Sequence, residues 1–169
     1  MEKKKGGGIL PLAFHKSKIK VLIGRETGDY NEDFADKYKW SDFGGGGHSG
    51  ESYKICAARE GFEETCGAFG SQFDLIDLID NKLVSKIKDN NYTMFVVHVP
   101  YDKSLEGSFK EIYNAVRERR ADLIQEENGF FEKDMVKWVP LEMLKPKKNR
   151  LKLRPGFQRI IRHLCKELL

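Results

Sequence analysis

Four consecutive glycines, Gly44 to Gly47, lead into a stretch where Arg59, Glu60, Glu63 and Glu64 place three carboxylates and a guanidinium within six residues. At about 100° per residue, Glu60, Glu63 and Glu64 share one helical face, while Ile55, Ala58, Phe62 and Cys66 cluster roughly opposite. The pattern predicts a helix from about Ser52 to Cys66, capped by Ser49 or Ser52 and entered through a glycine-rich turn. Such a helix buries one side and presents an acidic other. An isolated acidic face is usually just solvated. Carboxylates this close repel, however, and a hard divalent cation with a preference for oxygen ligands relieves the repulsion.

The context favours the cation. From Gly45 to Gly67 the chain resembles the Nudix box, G-x5-E-x7-R-E-U-x-E-E-x-G-U with U apolar. Gly45, Glu51, Arg59, Glu60, Glu63 and Glu64 match its first glycine and its fixed charged positions. Gly61, Cys66 and Gly67 depart from it, as though the closing glycine had moved by one residue. The resemblance implies a Nudix-like α/β/α sandwich with a central mixed β-sheet. It also implies that Glu60, Glu63 and Glu64 bind Mg²⁺ (or Mn²⁺), that Glu63 or Glu64 helps activate water, and that Glu51 and Arg59 hold the ligands in place. The glycine run, with Gly45, Gly46 and His48, would meet the diphosphate. Arg25, just after the second strand, is a further substrate candidate. The general base in many members of the family lies outside the box, and Glu126, Glu127 and Glu132 are the candidates here.

At 169 residues the chain fits a single domain over 1–169. The cysteines Cys56, Cys66 and Cys165 lack metal or disulfide spacing and read as ordinary thiols. No apolar stretch reaches a membrane span and the start lacks a signal-peptide pattern, so no membrane partner and a cytoplasmic location are expected. Nothing fixes an oligomeric state, and a homodimer is compatible with the sequence. Net charge is only +4, but Lys145 to Lys166 is markedly basic, which suits a polyanion such as RNA as well as a plain solvated face.

Ile9–Phe14 and Ile19–Gly24 read as a hairpin, Tyr92–Val99 as a central strand, and Met135–Leu141 as another strand. Ser108–Glu127 reads as an amphipathic helix or helix pair with Phe109, Ile112 and Val116 on its apolar side. Gly156–Leu169 reads as a terminal helix. Periodicity leaves Asp74–Ile87 open between a short helix and a strand plus a helix. Trp40, Phe43, Tyr101, Phe130 and Phe131 are aromatics that could stack on a base, although core positions are the commoner use.

Three functions fit. The first is a pyrophosphohydrolase acting on a nucleotide-type diphosphate, and the second an mRNA-decapping enzyme using the basic C-terminal stretch. The third is a binding module without turnover, which the complete set of box glutamates argues against.

Overall fold

The computed structural model describes residues 4–29, 35–124 and 129–169. Its element order is β1 (Gly6–His15), β2 (Lys18–Glu26), β3 (Trp40–Ser41), β4 (Phe43–Gly46), α1 (Tyr53–Glu64), α2 (Gln72–Asn81), β5 (Leu83–Asp89), β6 (Tyr92–His98), α3 (Ser104–Arg119), β7 (Lys133–Pro140) and α4 (Pro155–Leu168).

The expected hairpin forms: β1 and β2 pair antiparallel, with His15 opposite Lys18. Lys16 and Ser17 both adopt positive φ in the two-residue turn, the backbone that matches strand twist in tight hairpins. The two strands stay paired only as far as Leu12 and Val21, and then part. In the gap, β3 pairs with β2 and β4 with β1. On its other edge β1 runs parallel to β6, which is central as expected, and β7 closes the far edge of β2. The sheet is therefore mixed.

Successive strand residues face opposite layers. Leu10, Leu12, Val21, Ile23 and Val96 pack against Phe157, Ile160, Ile161 and Leu164 of α4. Ile9, Leu22, Phe95 and Val97 pack against Ala57 and Ala58 of α1, Leu75 and Ile79 of α2, and Phe109 of α3. Helices thus cover both faces, giving the α/β/α sandwich. Among the described residues no helix is long and apolar enough to cross a membrane.

Several expectations need correction. The expected glycine turn is strand through Gly46: Gly44, Gly45 and Gly46 lie opposite Gly8, Gly7 and Gly6 of β1. A Cβ on Gly7 would stand 2.4 Å from the Tyr53 carbonyl oxygen, so these glycines let α1 lie almost on the backbone. The same closeness selects Ala57, Ala58 and Gly61 as the buried side of α1, while Ile55 is exposed. In α3, which begins four residues earlier than expected at Ser104, Tyr113 is buried in place of Ile112. The open segment resolves as helix then strand, α2 then β5, with Ser71 and Asp74 forming a capping box ahead of α2.

Ser52 is the cap of α1, its Oγ accepting from Ile55 N. At the other end Cys66 already has φ +52 and Gly67 has φ +73. The closing turn has therefore not moved: Cys66 takes the left-handed backbone at the position where the box has glycine.

Candidate active site

Arg59 organises Glu51, Glu60 and Glu63 around the acidic helix. Its Nε and Nη2 donate to the two Glu51 carboxylate oxygens at 2.9 and 3.1 Å, and Nη1 donates to Glu60 Oε1 at 2.8 Å and Glu63 Oε2 at 3.1 Å. Nη2 also reaches the Gly46 carbonyl at 3.0 Å. One guanidinium thus ties β4, the approach to α1 and α1 itself together, a use of its planar fork that an ammonium could not match. Arg59 holds the Glu51 carboxyl below its ordinary pKa. Glu60 is raised, chiefly by burial.

Glu64 belongs to a different neighbourhood. It is sealed from solvent, accepts the Gly44 amide at 2.7 Å, and lies 3.6 Å from Lys133 Nζ. Oxygens of Glu64, Glu26 at the end of β2 and Glu132 just before β7 lie within 4.8 Å of one another. Lys133, also sealed, donates to Glu26 and to Ser41 Oγ, the latter at 2.8 Å. Arg154 donates to Glu26 at 3.1 Å and to Asp36 at 3.1 Å.

Burial, with other carboxylates close by, pushes Glu64 well above its ordinary pKa and Glu132 up to about 7. Burial works against the Lys133 charge, yet Glu26 and Glu64 keep its pKa above the ordinary value. Lys133 and Arg154 both meet Glu26, Lys133 lies beside Glu64 as well, and burial raises Glu64 and Glu132 towards their protonated forms. Hard oxygen donors brought together from separate elements fit a divalent ion.

The remaining candidates divide. Gly45 packs against Glu60, where a Cβ would lie 2.7 Å from Oε2. His48 is exposed, its amide donating to Glu51 at 2.8 Å. Arg25 forms a bidentate pair with Asp134 at 2.8 and 2.9 Å and lies over the Tyr38 ring, so it is engaged within the fold. Glu126 and Glu127 lie outside the described residues; Glu132 is in the cluster. Trp40 and Phe43 are core residues. Phe130 packs edge-on against Phe62, where Gly129 brings the chain over Glu63. The three cysteines are free thiols.

The sequence reading missed Glu26, Lys133 and Arg154. None has a spacing signal, since strand pairing alone joins them to α1. The basic C-terminal run also proves divided: Arg154 turns inward, Arg159 pairs with Asp89, and Lys147, Lys148, Arg150 and Lys152 stay exposed.

Beside the cluster opens a cavity of about 670 Å³ bordered by Lys4, Asp42, Gly44, Tyr92, Arg154 and Arg159. It shares a wall with the carboxylates, because Ser41, Gly44 and Arg154 line it and also bond to Lys133, Glu64 and Glu26.

No family model matches the chain, and no curated protein sequence does. Solved structures do match. The C. elegans Ap4A hydrolase in a binary complex is 13% identical with a TM-score of 0.54, covering 98% of each chain. The MutT protein from Methanosarcina mazei Go1 is 18% identical with a TM-score of 0.52, covering 99% of this chain and 97% of the other. The NUDIX domain of Shewanella oneidensis NrtR complexed with ADP ribose is 12% identical with a TM-score of 0.54, covering 100% and 91%. The chain has the Nudix fold.

Proposed function

We propose that the protein is a Mg²⁺-dependent hydrolase that cleaves a diphosphate linkage in a nucleotide-type substrate. The observation that carries this reading is the position of Glu64, fixed by the Gly44 amide beside Glu26 and Glu132, at the wall of a cavity bordered by lysines, arginines and aspartates.

Glu64, with Glu60 and Glu63 from the same helix, would hold the metal; Mn²⁺ suits the same oxygen donors. When bound, the metal supplies charge neutralisation at the diphosphate oxygens and makes water more acidic. Arg59 orients Glu60 and Glu63 and locks Glu51 against α1. Gly45 and Gly46 leave the strand bare enough for substrate to approach its backbone. Glu132, with its pKa pushed up to about 7, suits a general base at neutral pH, where proton affinity and availability balance. Phosphoryl chemistry depends mainly on positioning and charge stabilisation, so no nucleophilic side chain is required.

A capped RNA is the second reading. The exposed Lys147, Lys148, Arg150 and Lys152 lead directly to Arg154 in the cavity wall, and such a track would hold an RNA backbone in a salt-dependent way.

The test is product analysis by mass spectrometry after incubation with Mg²⁺ and a panel of nucleoside diphosphate derivatives, dinucleoside polyphosphates and capped RNA. Chelator-sensitive cleavage of small diphosphates, lost in Glu64→Gln, supports the first reading. Release of a capped nucleoside diphosphate from RNA but not from free cap analogue selects the second. No cleavage of any substrate overturns both and returns the binding module.

A further inference from the structure

Asp42 is buried at the border of the large cavity, 5% exposed, and its Oδ2 accepts a hydrogen bond from Tyr92 Oη at 2.7 Å. The fold makes room for this pair. A Cβ on either Gly8 or Gly44 would come within 2.0 Å of Tyr92 Oη, and one on Gly8 within 2.6 Å of Asp42 Oδ2. Two adjacent strands are thus hollowed out where the tyrosine reaches the carboxylate.

The other carboxylates around the cavity are differently placed. Asp36 takes Arg154 at 3.1 Å and Asp89 takes Arg159 at 3.0 Å. Among the described residues, Asp42 is the cavity carboxylate that forms no ion pair. A buried carboxylate anchored on one side by a phenol at the border of a cavity is well suited to accept N–H donors from a bound molecule.

We propose that the cavity takes the nucleoside end of the substrate and that Asp42, positioned by Tyr92, selects a guanine-type base. The inference rests on the reading that the diphosphate lies at Glu64, one wall away. Burial raises the Asp42 carboxyl above its ordinary value, and in its ionised form it presents only acceptors. Among the common bases, guanine alone offers two adjacent donor groups on one edge, N1–H and the 2-amino group. Adenine and cytosine set a ring acceptor beside their amino group, and uracil flanks its N–H with two carbonyls. A site built around a polar group discriminates strongly, because the wrong base leaves that group unmatched.

Calorimetric titration with nucleoside 5′-monophosphates, in chelator and without metal, tests base selection independently of hydrolysis. Guanosine monophosphate should bind at least about tenfold more tightly than the adenosine, cytidine and uridine monophosphates, the size expected for hydrogen bonds to a charged acceptor. Asp42→Asn keeps an oxygen for Tyr92 but turns an amide N–H₂ towards the base, so it should weaken guanosine monophosphate and erase its preference, without weakening adenosine or cytidine monophosphate, whose ring acceptors the amide can meet. Inosine monophosphate tests the same point on the unaltered protein, since it lacks only the 2-amino group and should bind about tenfold more weakly than guanosine monophosphate.

Equal affinities for all four bases, no measurable binding, or equal affinities for inosine and guanosine monophosphates would overturn the proposal. So would an Asp42→Asn protein that weakens every nucleotide alike, since that is the mark of a structural role. Hydrolysis without base preference would leave the hydrolase reading standing and remove this one. Base preference without hydrolysis would do the reverse.

Discussion

Lys133 and Glu26 form an ion pair fully closed to solvent, and the same ammonium lies 3.6 Å from Glu64. A residue that begins β7 thereby compensates one at the end of β2 and another on α1. The site is consequently poised in charge: Lys133 and Arg154 meet Glu26, Lys133 also lies beside Glu64, and burial still raises Glu64 and Glu132 above the ordinary carboxyl value.

Replacing Lys133 by Met removes the cation and leaves its carboxylates buried. Breaking a buried pair from one side costs about 3–5 kcal/mol. The variant should lose stability on this scale in chelator, read by urea unfolding. Because a divalent ion binds the folded site and not the unfolded chain, Mg²⁺ should raise the melting temperature of Lys133→Met more than that of the unaltered protein. An equal rise in both would mean that Lys133 and the metal do not share the same negative charge.

Arg59→Lys preserves charge but not the fork that reaches Glu51, Glu60, Glu63 and Gly46 together. Residues that orient metal ligands typically contribute about 10–100-fold to metal affinity or activity. The expected outcome is a loss of that size in kcat and in Mg²⁺ affinity, with circular dichroism unchanged. Near-normal kinetics would show that Glu60 and Glu63 need no orienting group.

The acidic helix, its Ser52 cap and the central strand were legible because each rests on local spacing or composition. Asp74–Ile87 was not: its apolar residues suit either period, although the Ser71 and Asp74 capping box does mark a helix start. The run Gly44 to Gly47 misled because a glycine-rich strand looks like a turn until the partner strand and the helix above it are known. Glu26, Lys133, Arg154 and the Asp42–Tyr92 pair are long-range consequences of strands parting and refilling, and no window along the chain contains them.

Glu132 gives the site a pH dependence whose direction is fixed. Its folded value of about 7 lies above the ordinary 4.5, and Glu64 is displaced the same way. Between these pH values the folded, metal-free protein holds protons that the unfolded chain has released, so stability falls as pH rises through the window. Glu132→Gln should flatten that slope in chelator. Protons and Mg²⁺ compete for Glu64, and Glu132 shares its burial, so Mg²⁺ affinity should climb as pH rises from about 5 towards about 7. Affinity independent of pH from 5 to about 7 would contradict the shared burial of this pair.

Two glycines separate close packing from chain flexibility. A Cβ on Gly44 would stand 2.0 Å from Tyr92 Oη and 2.5 Å from Gly8 Cα, and the latter is backbone that cannot swing aside. Gly107 lies in α3 with nothing within 4 Å of its Cβ position. Gly44→Ala should therefore destabilise by about 1–3 kcal/mol, as overpacking does, and should disturb the Gly44 amide that holds Glu64. Gly107→Ala should instead stabilise by about 0.5–1 kcal/mol through helix propensity alone. Chemical denaturation of both variants reads the two signs. A Gly44→Ala protein as stable and active as the original would mean that the strands and Tyr92 can separate at little cost, and that the amide at residue 44 does not fix Glu64.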